Sequence, residues 1–213
     1  SGGVSSAITI DWGDEGLGSV TVIENNKFGC IGNPVTLNID KSYILEIPAI
    51  TGRDEVCEFD ANVAYDVVAV PGSTFDWTIT GGVQSAGTNT ASILADWGTQ
   101  GGGNVSVIQR AFDAVNSRLC VSDPANLPIK IYPKPTADEI IGDMEVCQLG
   151  DSVQYTINGF GGSTFEWRIN GDVADVLGQG TRAIKLVWKT AGTMTLSVLE
   201  TSPAGCPGEL VDT

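Results

Sequence analysis

Cys30, Cys57, Cys120, Cys147 and Cys206 are the side chains in this sequence best equipped for chemistry, and no histidine stands beside them. Without histidine the usual nucleophile triads and the commonest neutral-pH base are missing. No Cys-x-x-Cys pair is present to begin a zinc site. No Gly-x-Ser-x-Gly elbow, phosphate loop or dinucleotide glycine pattern is found either. Carboxylates are plentiful, and a glycosidase needs two of them facing each other. Here the acids fall mostly at strand edges and turns, with Asp76 and Glu166 alternating away from an aromatic stripe. Asp11, Asp14 and Glu15 cluster in one turn, where oxygen ligands could hold a cation. The matching turn, from Asp96 to Gly103, keeps a single acid, so a shared metal site is not expected. No catalytic, cofactor-binding or metal-ligating residue is assigned, and no cofactor is expected.

Charge narrows the partners. With 26 acidic against 11 basic residues the net charge is −15, which repels phosphate backbones and anionic membrane surfaces. Nucleic acid is excluded as a partner on that ground. No apolar run reaches the length of a membrane span, and no basic stretch followed by an apolar core reads as a signal peptide. Hydrophobic residues make up 42% and charged residues 17%, a globular balance rather than a disordered one. The 27 glycines among scattered Val, Thr and Ser predict many short strands joined by tight turns.

The elements that would position these residues are repeated along the chain. Gly72-Ser73-Thr74-Phe75-Asp76-Trp77 returns as Gly162-Ser163-Thr164-Phe165-Glu166-Trp167. Glu55-Val56-Cys57 returns as Glu145-Val146-Cys147. Asp11-Trp12-Gly13 returns as Asp96-Trp97-Gly98 and, loosely, as Val187-Trp188-Lys189. An alternating strand follows each: Ser19–Val22, Asn104–Val107 and Thr195–Val198. Cys30, Cys120 and Cys206 then close the three units. Landmarks recurring in one order at one spacing mark a repeat architecture.

This register divides the chain into the back half of a truncated unit over 1–49, a complete unit over 50–135 and a nearly complete one over 136–213. Short linkers stiffened by proline, Glu46-Ile47-Pro48 and Tyr132-Pro133-Lys134-Pro135, predict an extended array. Inside a unit, Val63, Tyr65 and Val67 alternate with smaller or polar neighbours, as do Val153, Tyr155 and Ile157. Phe75, Trp77 and Ile79 form one stripe and Ile93, Ala95 and Trp97 another, and both stripes recur in the next unit. Period-two stripes in about seven short strands predict a two-sheet sandwich with Trp77 and Trp167 in its core. Gly81-Gly82 and Asn170-Gly171 are read as hairpin reversals. One early and one late cysteine per unit predict the bridges Cys57–Cys120 and Cys147–Cys206, with Cys30 left as the orphan of the truncated unit. Persistent bridges imply an oxidising compartment.

The succession Val-Cys, Gly-Ser-Thr-Phe-x-Trp, Gly-Gly, Asp-Trp-Gly, Gly-x-Val-Ser-Val and Cys resembles the PKD-like repeats of large Bacteroidetes surface proteins. In particular it is similar to SprB-type gliding-motility adhesins exported by the type IX secretion system. The resemblance implies tandem immunoglobulin-like sandwiches on the outer cell surface, acting as the stalk or filament of an adhesin. Its implied partners are the secretion or gliding machinery, through other parts of the parent protein, and a surface polysaccharide or protein ligand. Two other roles fit the composition: a spacer or carbohydrate-binding module of a secreted hydrolase, and a domain of an envelope secretion machine.

Overall fold

The computed structural model describes residues 6–14, 16–41, 45–46, 49–68, 71–113, 117–136 and 138–213. Every regular element among them is a strand. β1 (Gly16–Val22) and β2 (Val35–Lys41) pair antiparallel as a two-stranded sheet. Its apolar side chains are largely uncovered: Leu17 is 85% exposed, and Val22, Val35 and Leu37 are exposed as well.

Two sandwiches follow. The first holds β3 (Thr51–Gly52), β4 (Glu55–Cys57), β5 (Val63–Asp66), β6 (Ser73–Thr80), β7 (Gly82–Ala86), β8 (Ser92–Trp97), β9 (Gly101–Asp113), β10 (Arg118–Val121) and β11 (Ala125–Tyr132). One sheet runs in the order β3-β5-β8-β7. The facing sheet is built on the long β9, with β6 on one side, β10 and β11 on the other, and β4 beyond β11. The β4–β11 pairing is parallel, setting Tyr132 opposite Cys57. The second sandwich packs β12 (Val153–Thr156), β15 (Ala183–Trp188) and β14 (Val173–Leu177) against β13 (Thr164–Asn170), β16 (Thr195–Thr201) and β17 (Pro207–Asp212).

The alternating stripes become the cores. Tyr65, Phe75, Ile93, Ala95, Trp97, Val105 and Val107 are buried together in the first cluster. Tyr155, Phe165, Trp167, Ile184, Leu186, Trp188 and Val198 are buried in the second. Trp167 lies in the core as expected and donates its indole N–H to the Thr181 carbonyl at 2.8 Å. Trp77 makes the matching bond to Thr90, also 2.8 Å, but is only half-buried against its cluster. Trp97 and Trp188 are buried as well. Trp97 meets Tyr65 edge to face at 6.0 Å, and burial raises the Tyr65 pKa. Gly81-Gly82 is not a hairpin within one sheet. β6 pairs with β9 and β7 with β8, so the turn carries the chain from one sheet to the other. Gly81 takes φ +79 there, and a Cβ would lie 3.0 Å from the Gly103 Cα. Asn170-Gly171 makes the same crossing between β13 and β14.

The Asp-Trp-Gly motif and the glycine-rich turn behind it have one physical cause. The Trp97 ring lies over Gly103, where a Cβ would fall 2.6 Å from its Cζ3 atom. Trp12 lies over Gly18 in the same way, again at 2.6 Å. In the last repeat Met194 takes the glycine's place, and the Trp188 ring lies 2.9 Å from the position a Gly171 Cβ would occupy. Gly103→Ala is therefore expected to destabilise the first sandwich by about 1–3 kcal/mol through overpacking. Trp167→Ala should cost about 3–5 kcal/mol, and the half-buried Trp77→Ala distinctly less. Denaturant-unfolding midpoints of the three variants test this ranking.

Candidate functional site

The most highly constructed polar and covalent assembly lies where the two sandwiches meet. Cys57 ends β4, whose parallel partner β11 leads straight into the linker. Just beyond, the Glu58 N–H donates to the Tyr132 carbonyl at 2.8 Å. The Glu58 carboxylate accepts the Lys134 N–H at 2.9 Å, while Tyr132 Oη donates to Glu55 at 2.8 Å. Asp60 accepts the Cys57 N–H at 3.0 Å and lies 3.4 Å from both the Arg53 guanidinium and the Lys134 ammonium. Three carboxylates thus hold β4 to the outgoing linker. Charge-assisted bonds to backbone N–H groups fix a local geometry more firmly than exposed ion pairs do.

Across this junction Cys57 is bonded to Cys206 of the second sandwich, with Cα atoms 5.6 Å apart. This overturns the expected pairs Cys57–Cys120 and Cys147–Cys206: Cys120 and Cys147 carry free thiols, as does Cys30. The topology gives the reason. The early cysteine lies beside the last strand, at the end of the repeat where the chain leaves. The late cysteine lies at the tip of the final hairpin, at the opposite end, which faces the preceding repeat. Within one sandwich the two are held apart; across a junction they meet. Cys206 is fully buried there and Cys57 nearly so. Gly208 follows on β17, where a Cβ would lie 2.8 Å from the Pro135 carbonyl oxygen of the linker.

A second polar position recurs near the hairpin end of each repeat. Gln109, facing Phe75, is fully buried, and its amide donates to Ser73 Oγ at 2.6 Å. Glu200, facing Phe165, is also buried and accepts the Phe160 N–H at 2.7 Å. Gln109 fastens the start of β6 and Glu200 the loop before β13, a structural use of a buried polar group.

A cleft of about 500 Å³ opens at the far end of the second sandwich, bordered by Asp143, Met144, Val146, Trp188, Met194 and Thr213. In the first sandwich the matching space is filled. β11 continues past its Ala125–Val107 pairing to Tyr132, and its Ile129 and Ile131 are buried. In the second, β17 pairs with β16 from Pro207–Thr201 to Asp212–Ser197, and Thr213 exchanges both backbone hydrogen bonds with Leu196.

The remaining sequence candidates do not converge. Asp11 and Asp14 are exposed, and Glu15 lies outside the described residues, as does most of the linker Glu46-Ile47-Pro48. No group of His, Cys, Asp or Glu suited to a metal ion occurs among the described residues. Asp76 pairs with Arg110, and Glu166 with Arg168 at 2.9 Å, all on the surface. The Arg168 hydrogen bond lowers the Glu166 pKa. No helix among the described residues is long and apolar enough to cross a membrane.

Two immunoglobulin-like sandwiches in tandem, joined by a linker and a disulfide, define a multidomain β-repeat protein. The chain belongs to the PKD-like domain family, whose model matches residues 44–117 and 133–209. No curated protein matches it. Among solved structures it is similar to murine CEACAM1b at 16% identity and a TM-score of 0.36, covering 78% of this chain and 96% of that one. Fibronectin(III)-like modules of Clostridium thermocellum CbhA match at 15% and 0.36, covering 78% and 91%. The Yersinia pseudotuberculosis adhesin InvE matches at 14% and 0.27, covering 77% and 58%.

The junction can be tested on the intact chain. Cutting the backbone at a protease site inserted after Thr136 should leave the two sandwiches migrating as one species until a reductant is added. Cys57→Ser should let them separate at once. Separation of the unsubstituted protein without reductant would contradict the bridge.

Proposed function

We propose that these repeats are a non-catalytic stalk segment of a large extracellular adhesin, spacing its ligand-binding part from the cell in adhesion and gliding. The observation that supports this most directly is the covalent junction. Two PKD-like sandwiches whose ends are tied by Cys57–Cys206 and by the Glu58 and Asp60 bonds to Lys134 hold a set relative placement. That is the property a spacer requires and an independent enzyme domain does not. A persistent disulfide belongs to an oxidising compartment, in keeping with display on the outer surface. Export through a type IX pathway and residence in a Bacteroidetes envelope are part of the same proposal, drawn from the motif resemblance. In this reading the adhesive ligand, polysaccharide or protein, is met elsewhere in the parent molecule.

A substitution scan in the native protein, scored for surface display and for adhesion or gliding, distinguishes this reading from a binding module. Defects should follow folding, so Trp167→Ala and Cys57→Ser should lower adhesion only as far as they lower display. Asp11→Ala and Asp14→Ala should leave both unchanged. Loss of adhesion at full display and stability from any exposed patch would show that these repeats bind ligand themselves.

A further inference from the structure

The three free cysteines occupy the two positions that make the bridge between the sandwiches. Cys147 shares the turn that follows Cys57, though not the Asp60 carboxylate bond or the β11 pairing. The Asp60 N–H donates to the Cys57 carbonyl at 3.1 Å, and the Gly150 N–H to the Cys147 carbonyl at 3.3 Å. Phe59 and Leu149, each two residues past its cysteine, both take positive φ, 59° and 51°. Each donates its N–H to the strand that carries the buried tryptophan or its edge, Phe59 to Gly98 at 3.1 Å and Leu149 to Trp188 at 2.8 Å. The tyrosine hydroxyl beneath is also conserved between the two: Tyr65 donates to Arg53 at 2.9 Å and Tyr155 to Asp143 at 3.0 Å. A non-glycine residue held in the left-handed region at the same place in both turns is a specific shared geometry, not a general feature of loops.

Cys120 and Cys30 reproduce the setting of Cys206. Val107 faces Trp77 and Val198 faces Trp167, so these valines are equivalent, and Val22 is their counterpart in the first hairpin. Four residues past each valine stand Ala111, Ser202 and Asn26. Cys120 is the ladder partner of Ala111. The Ser202 N–H donates to the Cys206 carbonyl at 2.9 Å, and the Asn26 N–H to the Cys30 carbonyl at 3.1 Å. All three late cysteines therefore sit at one hairpin position. Of the early cysteines, Cys57 is bonded to the next repeat's hairpin and Cys147 is exposed.

We propose that Cys147 is a covalent docking site for the hairpin cysteine of a further PKD-like repeat, and that Cys120 and Cys30 take the early cysteine of a preceding one. The pattern stands on the junction geometry and is independent of what the array adheres to. In the reaction each thiol gives up its proton, the two sulfurs bond, and two electrons pass to the disulfide of a thiol oxidoreductase, which leaves as its dithiol. The linkage rule is that early bonds to the late cysteine of the following repeat, never to its own.

The test is disulfide mapping of the protein as exported by its own cells, alkylated before lysis and digested without reduction. The expected result is Cys147 protected from alkylation and joined to a peptide carrying a late-hairpin cysteine. A partner peptide containing Cys120 or Cys30 identifies a second copy of this chain; a different hairpin sequence identifies another repeat. Cys147→Ser should abolish that linked peptide and leave Cys57–Cys206 in place. Cys147 recovered fully alkylated, joined to a small thiol, or bonded to Cys206 would overturn the proposal.

Discussion

The bond between Cys57 and Cys206 is the constraint around which the described structure is organised, because it commits one repeat's sulfur to the next repeat. Two sandwiches joined by a short linker alone would sample many relative orientations, as interdomain contacts of modest area ordinarily allow. The disulfide adds a second covalent connection, and the Glu58 and Asp60 carboxylates bind the linker from β4. In the chain-entropy model, a crosslink between residues 149 apart is worth up to about 5 kcal/mol where both repeats unfold together. Its structural effect is larger than that figure conveys: the two repeats are tied at two places, not one.

The same economy governs each sandwich internally. An indole needs more room than a strand crossing normally offers, and these repeats make room by removing the opposing side chain. Trp97 over Gly103 and Trp12 over Gly18 are two instances of one solution. Met194 departs from it with a flexible thioether in the glycine's place, and Trp188 then donates its N–H to Tyr155 Oη at 3.2 Å. Aromatic bulk and glycine are thus coupled along the chain, which accounts for their joint recurrence.

Much of this architecture was legible in the residues. The stripes through Tyr65, Phe75 and Ile93 obey the two-residue period of a strand and lie buried, because a half-buried sheet leaves no other face for them. What the repeat register could not convey was direction across a boundary. Counting cysteines per unit leads to pairing within the unit, whereas Cys57 and Cys120 lie toward opposite ends of their sandwich. Only the parallel course of β4 beside β11 reveals which end each occupies. Gly81-Gly82 misled for a similar reason, since two glycines mark a reversal without saying which sheet receives the next strand. The depth of Trp77 was equally hidden: alternation assigns a face, not how far the edge of the core extends.

The disulfide also determines how tension passes through the molecule. A pull applied between Ile50 and Thr213 runs along β3 and β4 to Cys57, crosses to Cys206 and leaves along β17. The covalent chain from Glu58 to Gly205 lies off that route and is loaded only through the ladders β3–β5, β4–β11 and β16–β17. That withheld chain, spanning a separation of 149 residues, would extend to roughly 500 Å if drawn out. While the sulfurs remain joined, the chain between them cannot be drawn out, and the pull falls on β3, β4 and β17, along which Ile50 (just before β3), Val56 and Val211 pack in the two cores.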